Sequence, residues 1–163
     1  MFTKEEYGES VIKEIKIIKH LGTKITPAMA EYRPTPSQRS TLELMQFISN
    51  VASGYLRGIL DDNWDAWDEY EKARGEVTIE NFVERMDKEV VAVGDLLAKF
   101  TDDELEKEFD LSGNGKPIKK RLIIIETVFK WLVAYKMQLF LYIKANGVTE
   151  IGTSDLWYGK SST

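Results

Sequence analysis

Only one histidine, His20, and no cysteine stand in the sequence, so the side chains that most often ligate transition metals or act as bases at neutral pH are nearly absent. A lone imidazole cannot build a histidine metal site. His20 falls in the last turn of an amphipathic stretch, where a cation is favoured by the helix dipole, and it reads as structural. Aromatic side chains are densest in residues 61–77, DDNWDAWDEYEKARGEV, where Trp64, Trp67 and Tyr70 recur every three residues among carboxylates. Such rings can clamp a cation or lie over the end of a bundle, and packing is the simpler reading. The basic cluster Lys116, Lys119, Lys120 and Arg121 stands at a helix start and reads as a solvated face rather than a phosphate site. No nucleophile elbow, P-loop or dinucleotide fingerprint is present, and no E-x-x-H or H-x-x-x-H spacing, so a ferritin-like di-metal site fails on ligand count.

The elements that would hold these groups follow from apolar spacing. Pro117 to Gly147 is the longest helical pattern and predicts a helix over 117–146. Its apolar residues fall on two adjoining faces, Leu122, Ile125, Phe129, Leu132, Leu139 and Ile143 on one and Ile124, Val128, Trp131, Tyr135 and Tyr142 on the other. Only Thr127, Lys130, Met137 and Lys144 read as solvated, so this helix should be surrounded by partners. Val11, Ile15, Ile18 and Leu21 predict a first helix over 4–21. Three prolines, Pro27, Pro34 and Pro36, make 22–39 a connector. An S-x-x-E capping box at Ser40 and Glu43 opens a second helix over 40–60, and Ile79, Phe82, Met86, Val90, Val93 and Leu97 predict a third over 78–99. Thr101 and Glu104 suggest another capping box, and residues 111–115 carry the turn chemistry of a small hairpin. Gly147 suits a helix C-cap. Beyond it, Leu156, Trp157 and Tyr158 are expected to dock and the last residues to fray, leaving 1–163 as a single domain with a tail loosened after about residue 150.

A chain of 163 residues can bury a core without disulfides or metals. The formal net charge of -5, with both signs interspersed, argues against nucleic acid or an anionic membrane as partner. No stretch approaches the ~18 apolar residues of a spanning helix, and the first residues lack a signal-like apolar region. With no cysteine, a reducing compartment, the cytoplasm, is the simplest location.

Two segments carry a family resemblance. Tyr32-Arg33-Pro34-Thr35-Pro36 followed by Ser40-Thr41-Leu42-Glu43-Leu44-Met45-Gln46-Phe47-Ile48 resembles the entry to the second helix of DinB-like proteins. Trp131-Leu132-Val133-Ala134-Tyr135-Lys136-Met137-Gln138-Leu139 is similar to that family's H-x-x-x-H-R-x-Q-L on the last long helix. The resemblance spans about residues 5–147. It implies an all-α, antiparallel four-helix bundle of up-down-down-up order, with three histidines holding nickel or zinc in a core cleft. Many relatives act as metal-dependent hydrolases or as S-transferases using bacillithiol, mycothiol or glutathione, and homodimers are common.

At the three ligand positions this chain carries Phe47, Trp131 and Tyr135 instead. Neither Phe nor Trp offers a lone pair to a metal, and one phenol is a poor substitute for three imidazoles. Glu43 and Glu126 are read as a cap and a polar face rather than as replacement ligands. Of the family motif Gln138 survives, a possible polar cleft residue whose amide needs hydrogen bonds and whose nearest candidate is the Tyr135 hydroxyl. The expectation is a bundle without catalytic metal, whose Phe47, Trp131 and Tyr135 form one aromatic cluster lining a small-molecule or interaction cleft. It is expected to form a homodimer. The alternatives are an enzyme of the same superfamily, metal-dependent or thiol-dependent, and a cleft filled by its own aromatics.

Overall fold

The structure, a computed structural model, describes residues 3–161. Helix α1 (Lys4–Gly22) opens on a capping box in which the Thr3 hydroxyl accepts from the Glu6 amide and the Glu6 carboxylate accepts from the Thr3 amide at 2.8 Å. Its stripe of Val11, Ile15, Ile18 and Leu21 is completely buried. Gly22 is needed where α1 ends, because a Cβ there would stand 2.5 Å from the Phe82 ring. The connector holds one short turn, Pro27–Met29, and is tied to the next helix by the Thr41 and Leu42 amides, which donate to the carbonyls of Tyr32 and Ala30.

The second rod is broken. The Ser40–Glu43 capping box forms as its spacing predicts, but α2 (Thr41–Ile48) stops short and α3 (Val51–Asp61) begins anew. Asn50, at φ -153° and ψ 13°, leaves helical geometry between them, so a continuous helix over 40–60 does not form. A break inside a core strands the first amides of the new helix, and Asn50 does not cap them. Glu89, from a distant helix, supplies the cap: one carboxylate oxygen accepts from the Ser53 amide at 2.8 Å and the other from the Ser53 hydroxyl at 2.6 Å.

After α4 (Trp67–Gly75), α5 (Phe82–Lys99) starts four residues later than its apolar spacing predicts. Thr78 and Asn81 bond each other's backbone amides and hold a turn there instead. Thr101 caps α6 (Asp102–Glu106), yet the Glu104 carboxylate turns to Lys107 and Lys120 and leaves the box half made. The small hairpin pairs β1 (Glu108–Phe109) with β2 (Ile118–Lys119), Glu108 facing Lys119.

The last rod runs through α7 (Lys120–Ile124), a π-helical turn at Ile125–Phe129 and α8 (Lys130–Ala145). The Thr127 hydroxyl bonds back to the Ile123 carbonyl at 2.7 Å within this turn. A π-turn inserts one residue into the helical repeat and shifts the stripe. Leu122 and Ile125, assigned to a buried face, are therefore 46% and 40% exposed, whereas Thr127, assigned to the solvated strip, is buried. Lys136 is buried as well, against Glu14 of α1, with its Nζ 2.6 Å from Glu14 Oε2 and 5.0 Å from the Trp157 ring centroid. Lys120, placed by sequence on a solvated face, is fully buried and paired with Asp62 and Glu104.

Beyond Gly147, the stretch expected to loosen after about residue 150 forms α9 (Thr153–Tyr158), and of the trio expected to dock Leu156 does so. Ile151 and Leu156 are buried, while Trp157 and Tyr158 are half or more exposed. His20 of α1 bonds Asp155 at 2.8 Å, and Asp155 in turn accepts from the Gly152 amide. Burial raises the Asp155 pKa, but the His20 bond, the Gly152 amide and nearby Lys24 outweigh it and leave the carboxyl below its usual range. Helix α1 packs mainly on α5 and α8, α3 on α5 and on the α7 and π segments, and α2 on α8. Among the described residues no helix is long and apolar enough to cross a membrane.

Candidate functional site

Phe47 on α2 meets Tyr135 on α8 edge to face, ring centroids 5.0 Å apart. Two guanidinium groups pack on this pair. Arg39, just before α2, lies 4.2 Å from the Phe47 centroid and 5.9 Å from that of Tyr135, and Arg74 of α4 lies 4.9 Å from Phe47. The helix break positions Arg74: Asn50 accepts from its Nε at 3.2 Å and donates to the Tyr70 carbonyl at 2.7 Å, while Glu71 accepts from its Nη1 at 2.6 Å. Burial lowers the Arg74 pKa and Glu71 resists that shift.

Trp131 belongs to a different arrangement. Its ring packs on Tyr55 of α3 at 4.5 Å, and Tyr55 also meets Trp64 at 5.1 Å and Trp67 at 5.3 Å. Trp64 and Trp67 stand at 87° to each other, 5.7 Å apart. Two glycines one helical turn apart make this possible. A Cβ at Gly58 would collide with the Trp64 ring, and one at Gly54 would press on Tyr70 at 3.3 Å and Trp67 at 3.4 Å. The three positions expected to share one cleft are thus divided, Phe47 with Tyr135 and Trp131 with Tyr55. Gln138 bonds elsewhere too: its amide donates to the Tyr142 hydroxyl at 2.6 Å rather than to Tyr135, and Tyr142 donates to the Arg39 carbonyl at 3.0 Å.

An open cleft of about 590 Å³ lies over the second arrangement, walled by Tyr55, Trp64, Trp67 and Trp131, all half-buried. Asp68 stands on its rim and the Leu111–Ser112 loop closes one side. Asp110 holds that loop through bonds from the Asn114 and Gly115 amides at 3.2 and 2.6 Å. Burial pushes the Tyr55 hydroxyl pKa up.

No protein-family model matches this chain, and no curated protein does. Its structure superposes on the crystal structure of YjoA, a DinB-like protein from Bacillus subtilis, with a TM-score of 0.73 at 19% identity, covering 89% of this chain and 94% of that one. The fold is DinB-like. It is all-α in its main elements, with more helices than four.

The metal that the fold's resemblance implies does not fit the residues found here. Phe47 lies under two guanidinium cations and Tyr135 under one of them, an unfavourable place for a divalent ion, and Trp131 lines the cleft over Tyr55 instead. Among the described residues no group of three or more His, Cys, Asp or Glu side chains could hold a metal. Glu43 is engaged as a cap and Glu126 is paired with Lys130 on the surface.

Sequence reasoning passed over Arg39, Arg74, Tyr55 and Glu89. The Gly54–Gly58 spacing, facing aromatics three residues apart, was the available signal for the cleft. Glu89 gave none, since a carboxylate in an apolar stripe reads as surface. Burial pushes its pKa up to about 7 against the pull of the Ser53 bonds and Arg85.

Proposed function

We propose that the protein is a small-molecule binding module of DinB-like fold that works without a catalytic metal and binds its ligand in the cleft walled by Tyr55, Trp64, Trp67 and Trp131. The observation that carries this reading is the open 590 Å³ cavity itself, within the ~300–1,000 Å³ range of ligand sites and lined by aromatic rings with a few polar groups. It also has the rigidity a site needs, since glycines seat the rings and Asp110 fixes the loop. No nucleophile and base are paired along its walls, which favours binding over catalysis.

The four rods are assigned to an antiparallel bundle of up-down-down-up order, since α1 packs on α5 and α8 rather than on the α2 and α3 helices that follow it. A homodimer is part of the same reading. Leu122, Ile125, Met137 and Leu141 are exposed along the last long rod, apolar surface that a second copy related by a two-fold axis would cover. Ligand-observed NMR against a library of small aromatic and charged compounds tests the cleft. Hits that quench tryptophan fluorescence and are lost in Trp131→Leu support it, and hits untouched by that change place the site elsewhere.

A further inference from the structure

We propose that the cleft takes an organic ammonium ion, its cationic head held against the walls formed by Tyr55, Trp64 and Trp131 and its charge answered by Asp68. This rests on the reading of the cleft as the ligand site and names the chemistry of its occupant. The first argument is geometric. Trp64 and Trp67 meet at 87°, Tyr55 and Trp67 at 89° and Tyr55 and Trp131 at 75°, so the rings form walls at steep angles rather than a stack. The cleft they wall is lined by four aromatic rings and, among its lining residues, by a single charged group, the Asp68 carboxylate, so a cationic head meets π-surface and a counter-charge together.

The second argument is that these faces are not already taken by a cation of the chain, as several others are: Phe47, Tyr135, Phe140, Trp157 and Tyr158 each have a lysine or arginine within 6 Å of the ring, and Trp67 at the cleft's edge has Arg74 at 5.5 Å. Among the described residues no cation of the chain lies over Tyr55, Trp64 or Trp131. The third is charge. Asp61 is paired with Arg57, Asp62 with Lys120 and Glu71 with Arg74, while Asp68, the acid that lines the cleft, has no ion-pair partner among the described residues. The cavity is larger than a trimethylammonium head, leaving room for a substituent to extend along Leu111 and Ser112.

The test titrates the full chain with choline and with dimethylbutanol, its uncharged carbon isostere, following tryptophan fluorescence and ligand NMR. Choline is expected to bind about tenfold more tightly than the isostere, a difference of the size that cation–π attraction gives in a partly desolvated site. Asp68→Asn, a rim change that leaves every ring in place, is expected to weaken choline about threefold and the isostere not at all. Trp131→Leu, with folding checked by circular dichroism, is expected to abolish binding of both. Equal affinity for choline and isostere overturns the cation assignment while leaving a ligand cleft. Binding of neither compound, nor of any library hit sensitive to Trp131→Leu, overturns the cleft along with it.

Discussion

The molecule holds two groups of aromatic rings a few residues apart, and they have opposite fates. Around Phe47 and Tyr135 the protein supplies its own cations, Arg39 and Arg74, which cover the rings. Around Tyr55, Trp64 and Trp131 it supplies none, and the space stays open as the cleft. Both groups draw on the second rod, the first on α2 and the second on α3. The break at Ser49–Asn50 lets one stretch of sequence serve a closed stack on one side and an open site on the other. An aromatic residue at a given position therefore does not announce a cavity; what packs on its face decides.

The largest expected effect lies at the joint between the two regions. Glu89 caps α3 from within the core, and burial pushes its pKa from 4.5 to about 7. A carboxyl whose folded pKa is raised binds more protons in the native state than in the unfolded one between those values. Stability from this group is thus fullest below pH 4.5 and falls as pH rises to about 7. The drop amounts to roughly 3 kcal/mol. Arg85 on the same helix and Tyr70 beside it are the neighbouring charged and titratable groups, and burial raises the Tyr70 hydroxyl pKa, away from this window. In Glu89→Gln the decline across that window should vanish, read from urea midpoints at pH 5 and pH 8. Parallel pH profiles for the two proteins would remove Glu89 as the sensitive joint.

Next in size is the closed stack. Arg74→Leu removes a cation from Phe47 and Trp67 and leaves the Asn50 carbonyl oxygen without its donor. The expected loss is about 2 kcal/mol, from cation–π contacts and one partly buried hydrogen bond together. If thermal melting shows no change, the stack is not held by its guanidiniums and the contrast between the two regions weakens.

Much of the fold was legible in sequence because local rules governed it. The Ser40–Glu43 box, the Val11–Leu21 stripe and the 111–115 turn each depend on neighbours within a few residues. What was not legible depends on distant partners. The apolar spacing runs unbroken through Ser49 and Asn50, and only Glu89, thirty-six residues after Ser53, makes a break there tolerable. The π-turn at Ile125–Phe129 keeps every residue apolar or helical in type while shifting which of them face the core, so periodicity alone assigned Leu122 and Thr127 to the wrong sides. Lys120 and Lys136 are buried because acids from other elements meet them, a fact carried by no local pattern. At the site, the family motif pointed to Phe47, Trp131 and Tyr135, but only Trp131 lines the cavity. The guanidiniums that fill the rest come from Arg39 and Arg74, outside either motif.

The floor of the cleft gives a smaller and more local probe. Gly58→Ala places a methyl where the Trp64 ring now lies, so that ring must lift. Overpacking of this kind costs about 1–3 kcal/mol, and here the lower end is expected because Trp64 is half-buried and can move outward. Its signature should be a changed tryptophan emission and near-ultraviolet dichroism with helix content unaltered. Unchanged aromatic signals would show that Trp64 does not rest on α3.

The smallest stability effect should come, against intuition, from the larger ring. Trp131 buries more area than Phe47 when each is fully enclosed, and a tryptophan removed from a core costs roughly 3–5 kcal/mol. Trp131, however, has one side on an open cleft and its principal aromatic contact is Tyr55 alone. Leucine in its place would keep the contact with the bundle, and the space vacated would join the cleft, where water can enter, instead of leaving a dry void. Phe47, covered by Tyr135 and two guanidiniums, has less relief: leucine there removes the ring on which both Arg39 and Arg74 pack most closely and leaves them only Tyr135 and Trp67. Trp131→Leu is therefore expected to cost less than about 1 kcal/mol and Phe47→Leu about 2 kcal/mol, compared by denaturant midpoints under one set of conditions. The reverse order would mean that Trp131 is core and Phe47 is not, and the open and closed regions would exchange roles.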